Sequence, residues 1–403
     1  MNKESIGSTI AKLRRANGMT QLALAERLNV SDKAVSKWEN GQGYPDITII
    51  PELAALFGVT IDYIMLGEKK GIAVAGTIIA DIVKNIDYYP EAGMLSHITS
   101  ISPSVGGCAP NTAIDLAKID HSLPISVLGK VGTDDNGRYI ISQLQKNGIN
   151  VDQVAYGNTE TSFCDVMSMP SGERTFFLKR GANDEFCPED INLSALNCDI
   201  LHIGYIHLLE KFDAKDPKYG TVMARFLHET QAAGIRTSID MVSDSSADFA
   251  GIVIPALKYC NYVIINEIEC SSIWGIEPRD ANGKLLVANI KNAMERMAQS
   301  GVKDKVIVHA KEAAFILDVE SGDFTSLGSF ALPSSEIKGS VGAGDAFCAG
   351  ALYGLFNGYT DMGILEFASG AAACSLFAAN SVDGMRSRNE IIKLYDKYER
   401  KEV

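Results

Sequence analysis

The sequence predicts two folded parts. An all-α helix-turn-helix head spans residues 1–68. An α/β domain over residues 71–403 then brings a mainly parallel sheet, helices on both faces and a small β lid. Three observations carry this. Residues 5–66 repeat apolar positions at helical spacing between short turns. From Gly71 onward, short apolar runs alternate with helical stretches, as parallel strands covered on both faces do. Residues 81–104 and 162–178 instead alternate polar and apolar side chains, the texture of exposed strands that could pair as a lid.

In the head, Ile6, Ile10 and Leu13 mark a first helix that stops at Asn17-Gly18. Thr20 can cap a second helix, Gln21 to Leu28, and Ser31 a third, Asp32 to Glu39. Pro45-Asp46 opens a fourth, and Val59 to Leu66 forms a fifth that ends at Gly67. Helices this short need a shared core, for which Leu13, Leu24, Leu28, Val35, Trp38, Leu53, Leu56 and Ile64 are the candidates. In the large domain, buried strands are expected at Gly71–Gly76, Ile125–Leu128, Ile200–Ile203, Thr237–Asp240, Tyr262–Ile265 and Val306–Val308. Helices are expected at Asn111–Lys118, Gly137–Lys146, Val222–Ala233, Lys284–Gln299 and Ala346–Leu355. Glu68-Lys69-Lys70 is a short linker, so the head is expected close to the body.

Composition narrows the function. The chain of 403 residues is 46% hydrophobic and has no run of about 18 apolar residues free of charge, so no membrane span is expected. Its start lacks the apolar stretch of a secretory signal. Eight cysteines without a Cys-x-x-Cys pair suit reduced thiols, and the six histidines show no metal-ligand spacing. A cytoplasmic protein is expected. Net charge is −13, divided as +1 over residues 1–70 and −14 over the rest. Duplex affinity depends on neutralising phosphates, so only the head is a plausible reader of DNA.

The strongest chemical signal is Gly339-Ser340-Val341-Gly342-Ala343-Gly344-Asp345-Ala346-Phe347 before a long helix. Small residues at a helix start let backbone N–H groups approach an anion. A carboxylate is unwelcome beside phosphate unless Asp345 accepts the proton of an attacking hydroxyl while Gly342, Ala343 and Gly344 form an anion hole. No G-x-x-x-x-G-K-[ST] occurs, and Phe347 breaks a G-x-G-x-x-G pattern. Taken alone, the loop could also be a helix entry with an acidic first turn.

The string TQLALAERLNVSDKAVSKWENGQGYPD resembles the helix-turn-helix of phage-repressor-like (Xre-type) regulators. The resemblance implies that the third helix enters the major groove, with Ser31, Asp32, Lys33, Ser36 and Lys37 exposed to DNA and Gln21 at a contacting position. Lys33, Lys37, Arg14 and Arg15 would meet phosphates of an operator, bound as a dimer on two half-sites. The other reading of the head is a protein-interaction or dimerisation module.

GSVGAGDAFCAGAL resembles the second signature of the ribokinase-like (PfkB) carbohydrate kinases, and VGGCAPNTAIDLAKI the first. LGKVGTDDNGRYI, Asn266-Glu267-Ile268-Glu269, Gly76–Asp81, Gly172-Glu173-Arg174 and Gly181-Ala182-Asn183 fall in the family's order. The resemblance implies ATP and Mg²⁺, with the metal held indirectly through Glu269 near Asn266, and a sugar lying between Asp81, Gly106, Gly107, Asn111 and Asp345. Asp345 would be the catalytic base, and Arg174 and Asn183 would support the substrate. Residue by residue the plainer readings are a solvated hairpin charge for Arg174, a turn or capping carboxylate for Asp81 and a surface helix residue for Glu269.

Three departures from the family pattern bear on activity. Gly339-Ser340 stands where relatives write Asp-Thr, which speaks against a monovalent cation. Ala310 and Ala313, after His309, replace two glycines near the adenine site, and alanine disfavours positive φ. Asn380-Ser381-Val382-Asp383-Gly384 replaces a late Gly-Ala nucleotide segment. Two functions follow: an ATP-dependent sugar kinase with a regulator head, or a regulator whose kinase fold senses a sugar or sugar phosphate with catalysis slow or lost. Pairing of lid strands between subunits in relatives makes a homodimer the expected assembly.

Overall fold

The computed structural model describes residues 3–59, 61–66, 70–171, 173–242 and 249–403. The helix stop expected at Gly67, the Glu68-Lys69 part of the linker and Gly172 lie outside the described residues. The chain divides into two compact units, Met1–Lys70 and Gly71–Val403.

The head contains α1 (Lys3–Ala16), α2 (Gln21–Arg27), α3 (Asp32–Glu39), α4 (Ile49–Phe57) and α5 (Ile61–Leu66). Thr20 and Ser31 cap α2 and α3 by accepting from Ala23 N and Ala34 N, satisfying donors the helix cannot. The fourth helix starts later than Pro45-Asp46 predicts. Asp46 Oδ1 accepts from both Thr48 N and Thr48 Oγ1, making a local turn that precedes the helix. Ile6, Ile10, Leu24, Val35, Trp38, Leu53 and Ile64 share one core, with Leu56 packed at its margin.

Arg14 lies inside this unit rather than on its surface, which corrects its expected role as a phosphate contact. It is 9% exposed. Its Nε and Nη2 donate to Glu39 Oε1 and Oε2 at 2.6 and 2.9 Å, and Nη1 donates to Met19 O. Gln21 Nε2 donates to the same Glu39 at 2.7 Å, so this side chain is tied into the scaffold. Burial raises the proton affinity of Glu39, but these hydrogen bonds outweigh it and hold the carboxyl below its usual range. Ser31, Asp32, Lys33 and Lys37 are exposed on α3, and Ser36 is half-buried.

The large unit runs β1 (Gly71–Ala75), β2 (Ile79–Ile86), β3 (Ile98–Gly106), α6 (Cys108–Ile119), β4 (Ile125–Val131), α7 (Asp135–Lys146), β5 (Val154–Tyr156), β6 (Phe163–Ser168), β7 (Arg174–Lys179) and β8 (Cys198–Ile206). It continues through α8 (Glu210–Asp213), the small pair β9 (Lys215–Asp216) and β10 (Gly220–Thr221), α9 (Val222–Ala232), β11 (Arg236–Met241), α10 (Phe249–Leu257), β12 (Tyr262–Asn266) and α11 (Glu267–Ser272). It ends with α12 (Val287–Gln299), β13 (Lys305–His309), β14 (Ala313–Asp318), β15 (Phe324–Gly328), α13 (Ala343–Phe356), α14 (Asp361–Ser375) and α15 (Arg388–Lys397).

Among the described residues the main sheet has the order β15-β14-β13-β12-β11-β8-β1-β4-β5. It is parallel from β13 to β5, and β14 and β15 add antiparallel at one edge. Alternate residues of each strand face opposite sides. In β1, Ile72 and Val74 join the core beneath α6, α13 and α14, while Ala73 and Ala75 join the core beneath α9, α10 and α12. The lid is one four-stranded sheet, β3-β2-β6-β7, which joins the two excursions read from the sequence. A Lys84–Asp165 ion pair at 2.7 Å links its central strands.

Glu39→Ala strips Arg14 of two charge-assisted hydrogen bonds in a nearly buried position, and it is expected to destabilise the head by about 2 kcal/mol. Urea unfolding followed by Trp38 fluorescence in a Trp274→Phe background checks this, as a fall in the midpoint of the head's transition.

Candidate active site

The site forms at the carboxyl ends of the central parallel strands, where a doubly wound sheet leaves a crevice. The chain enters α13 through Gly342 in the left-handed region at φ 79°. A side chain there would also collide, because a Cβ would stand 2.6 Å from that of Ser381. The turn aims the first N–H groups of α13 outward, where a helix has no acceptors of its own. Ala343 N bends back to Ser340 O at 3.3 Å, leaving Gly344 and Asp345 as the donors best placed for an anion.

Asp345, in this first turn, is 5% exposed. Its Oδ2 accepts from Asn111 Nδ2 at 2.9 Å and its Oδ1 from Tyr205 Oη at 2.8 Å. Burial pushes the carboxyl up to about 6, while the hydrogen bonds from Asn111 and Tyr205 pull it down. Asn111 Oδ1 is buried and has no hydrogen-bond partner among the described residues, an acceptor beside the carboxylate and suited to a hydroxyl.

Asp81 projects from β2 and sits against Gly106, whose Cβ would fall 2.3 Å from Asp81 Oδ2. Glycine at 106 therefore makes room for the carboxylate. Gly107 has φ 88°, and a Cβ there would meet Thr77 O at 2.3 Å. Burial also pushes Asp81 to about 6, helped by the charge of Asp345 and opposed by Arg174. Arg174 is more than a solvated hairpin charge: its Nη2 donates to Ala379 O at 3.0 Å, tying the lid to the segment after α14. A cleft of about 360 Å³ lies here, lined by Asp81, Arg174, Val341 and Asn380 among others.

The structure adds detail to further residues singled out in the sequence. Asn380, expected in the nucleotide region, lines the cleft that holds Asp81 and Arg174, and its amide closes on Asp383. Ala310 and Ala313 need no glycine. Ala310 N donates to Ala313 O at 2.8 Å in the β13–β14 turn, and neither has positive φ. Asn183 is buried with its Oδ1 accepting from Ile78 N at 3.0 Å, so it braces the start of the lid. His309 lies beside the anion loop, its ring 4.7 Å from that of Phe347, and burial lowers it to about 4.

Glu269 is a buried residue of α11, not a surface one. Its Oε2 and Oε1 accept from Asn266 N and Nδ2 at 3.0 and 2.7 Å, and Asn266 Oδ1 caps Glu269 N. Sequence reading missed Asp240, at the end of β11. Burial and then the charges of Glu269 and Asp345 raise its carboxyl well above the usual range. Three crowded carboxylates are an excess of negative charge that a divalent cation offsets, so the residues present fit Mg²⁺. The engagement of Glu269 with Asn266 favours contact through water. The position of Asp240 at a strand's carboxyl end was the available signal. Tyr205 gave none, since only the fold brings it to Asp345.

No helix among the described residues is long and apolar enough to cross a membrane. A model of the pfkB family carbohydrate kinases matches residues 69–387, and a helix-turn-helix model matches residues 10–64. Ribokinase from Arabidopsis thaliana is 23% identical over 333 residues, covering 80% of this chain and 80% of that protein. The HTH-type transcriptional activator BcrR of Enterococcus faecalis is 43% identical over 60 residues, 15% of this chain and 29% of the activator. The structure of Arabidopsis thaliana ribokinase complexed with ribose and ATP has a TM-score of 0.67 at 21% identity, covering 81% of this chain and 99% of that one, a likeness of fold. Matched over most of its length, the chain belongs to the pfkB family of carbohydrate kinases and carries a helix-turn-helix domain in front.

Proposed function

We propose that the large domain transfers the γ-phosphoryl group of ATP to a hydroxyl of a sugar or sugar-like substrate, and that the head binds a DNA operator. The observation that carries the first part is Asp345, a buried carboxylate with a pKa near 6 at the mouth of a helix whose first N–H groups face the same space. At neutral pH it is ionised yet basic enough to take a proton. In this reading Asp345 accepts the proton of the attacking hydroxyl as the oxygen bonds to phosphorus, and ADP leaves with the former bridging oxygen. Asp81 and Asn111 orient the sugar: a carboxylate accepts from hydroxyls, and Asn111 Oδ1 has an acceptor to spare. The amides of Gly344 and Asp345, in the loop opened by Gly342 and Ala343, hold the equatorial oxygens as charge builds. Mg²⁺, when bound near Glu269 and Asp240, neutralises phosphate charge. His309, Ala310, Ala313 and Asn380 are nearby candidates for the nucleotide side.

A second reading has a specific observation behind it, the helix-turn-helix domain on the same chain. In that reading the sugar or its phosphate is an effector, and a homodimer presents two heads to two half-sites. Release of ADP, assayed across aldoses, ketoses and nucleosides, separates the readings. Sugar binding without turnover on any of them favours the regulator.

Asp345→Asn keeps the shape and removes the base, so kcat is expected to fall about 10²–10⁴-fold. Unchanged turnover means another group takes the proton. In the parent, kcat/KM is expected to fall as pH drops through about 6. The raised carboxyl protonates there, and Asp81 titrates in the same window. A pH–rate profile checks it. For the head, Lys33→Ala is expected to weaken duplex binding and lower the slope of log affinity against log salt by about 1, read by fluorescence anisotropy over a salt series.

A further inference from the structure

His309 is a half-buried imidazole at the carboxyl end of β13, and its ring has a defined setting. One face packs on Phe347 of α13, with ring centroids 4.7 Å apart. The edge that carries Cε1 and Nε2 points to the anion loop. A Cβ built on Gly344 would stand 3.7 Å from Cε1 and 3.9 Å from Nε2, and apart from its own helix it would meet nothing else within 4 Å. So the ring borders the open space above Gly344, beside an amide that can hold a phosphoryl oxygen. Neither ring nitrogen takes part in a hydrogen bond among the described residues.

Strand order says which part of a nucleotide this ring would meet. The groups proposed to hold the sugar are Asp81 on β2, Asn111 on α6 and Asp345, and Tyr205 of β8 holds Asp345. His309 stands three strands along the sheet from β8, beyond β11 and β12, and is the register partner of Asn266 at the end of β12. Attacking and leaving oxygens lie roughly in line across a transferring phosphoryl group. With the attacking hydroxyl at Asp345, the leaving oxygen lies on the β12–β13 side of the Gly344 and Asp345 amides. The carboxylates on that side, Asp240 and Glu269, repel phosphate unless a cation stands between, and the side-chain amide of Asn266 is engaged with Glu269. An imidazole with its hydrogen-bonding capacity unspent is the group that can meet the leaving oxygens directly.

We propose that His309 is a phosphate-binding residue whose Nε2–H donates to the β-phosphate of the nucleotide, the group that leaves as ADP. The inference rests on the reading that ATP is the phosphoryl donor. As the bond between the γ-phosphorus and the bridging oxygen breaks, its electron pair stays on that oxygen and spreads over the β-phosphate. The imidazole stabilises this charge and keeps its own proton. Burial favours the neutral ring, and a neutral imidazole fixed in place is a competent donor to developing charge.

The test uses the full chain, with Mg²⁺–ADP and AMP as probes in calorimetry. His309→Leu, which keeps an apolar body against Phe347 and loses the donor, is expected to weaken ADP binding about 10–100-fold, the worth of a hydrogen bond to a charged group. AMP, which lacks the β-phosphate, is expected to bind the parent and the variant alike. His309→Gln returns an N–H donor and is expected to recover most of the ADP affinity. Far-UV circular dichroism reports whether each variant folds. The parent supplies a measurement of its own: with six histidines in the chain, ¹⁵N-histidine spectra are expected to show one imidazole that responds to ADP and not to AMP. Unchanged ADP affinity in a folded His309→Leu overturns the proposal. So does an equal loss for AMP, or a parent spectrum in which no imidazole distinguishes the two nucleotides. ADP binding without turnover of any sugar removes the kinase reading alone, and the affinities still decide the role of His309; a parent that binds no adenine nucleotide removes both.

Discussion

A carboxylate buried to 5% exposure at the start of a helix is costly unless neighbours hold it, and much of the site is arranged around holding Asp345. Asn111 reaches it from α6 and Tyr205 from the end of β8. β8 pairs with β1 in the sheet and α6 packs over one face of it, so the carboxylate joins three parts of the fold that are far apart in sequence. The same burial that demands partners also raises its proton affinity into the range useful for a base. Asp81 and Asp240 feel its charge, which makes the crevice a cluster of carboxylates whose proton affinities rise together.

The glycines around this cluster act by vacancy as much as by flexibility. Gly106 leaves the space that the Asp81 carboxylate occupies, and Gly342 lets the chain pass against Ser381 while turning into α13. The neighbouring alanines make the contrast. Ala310 and Ala313 stand in an ordinary turn with negative φ, so their departure from the family's glycines carries no backbone strain. Placement of Arg174 on Ala379 O adds a lid contact to the same crevice.

In the head, the physical logic is similar on a smaller scale. Helices of six to fourteen residues do not persist alone, and Leu24, Val35, Leu53 and Ile64 give them a common interior. Arg14 is drawn into that scaffold by Glu39, which leaves Lys33 and Lys37 as the exposed cations of α3.

Elements set by local periodicity and capping were readable along the chain. The third helix of the head, the six central strands and the pairing of two exposed excursions into a lid all follow from side-chain alternation, N-caps and turns, which act over a few residues. The short signature around Asp345 was legible for the same reason, since a glycine turn and a helix entry are local. What tertiary structure alone decided is which distant side chains meet: Tyr205 on Asp345, Asn183 under Ile78, Glu39 on Arg14, and His202 with Asp240 and Cys348. Those meetings depend on strand order and helix packing across up to 146 residues of separation. Sequence spacing carries no record of such distances, because burial and hydrogen bonding are properties of neighbours in space.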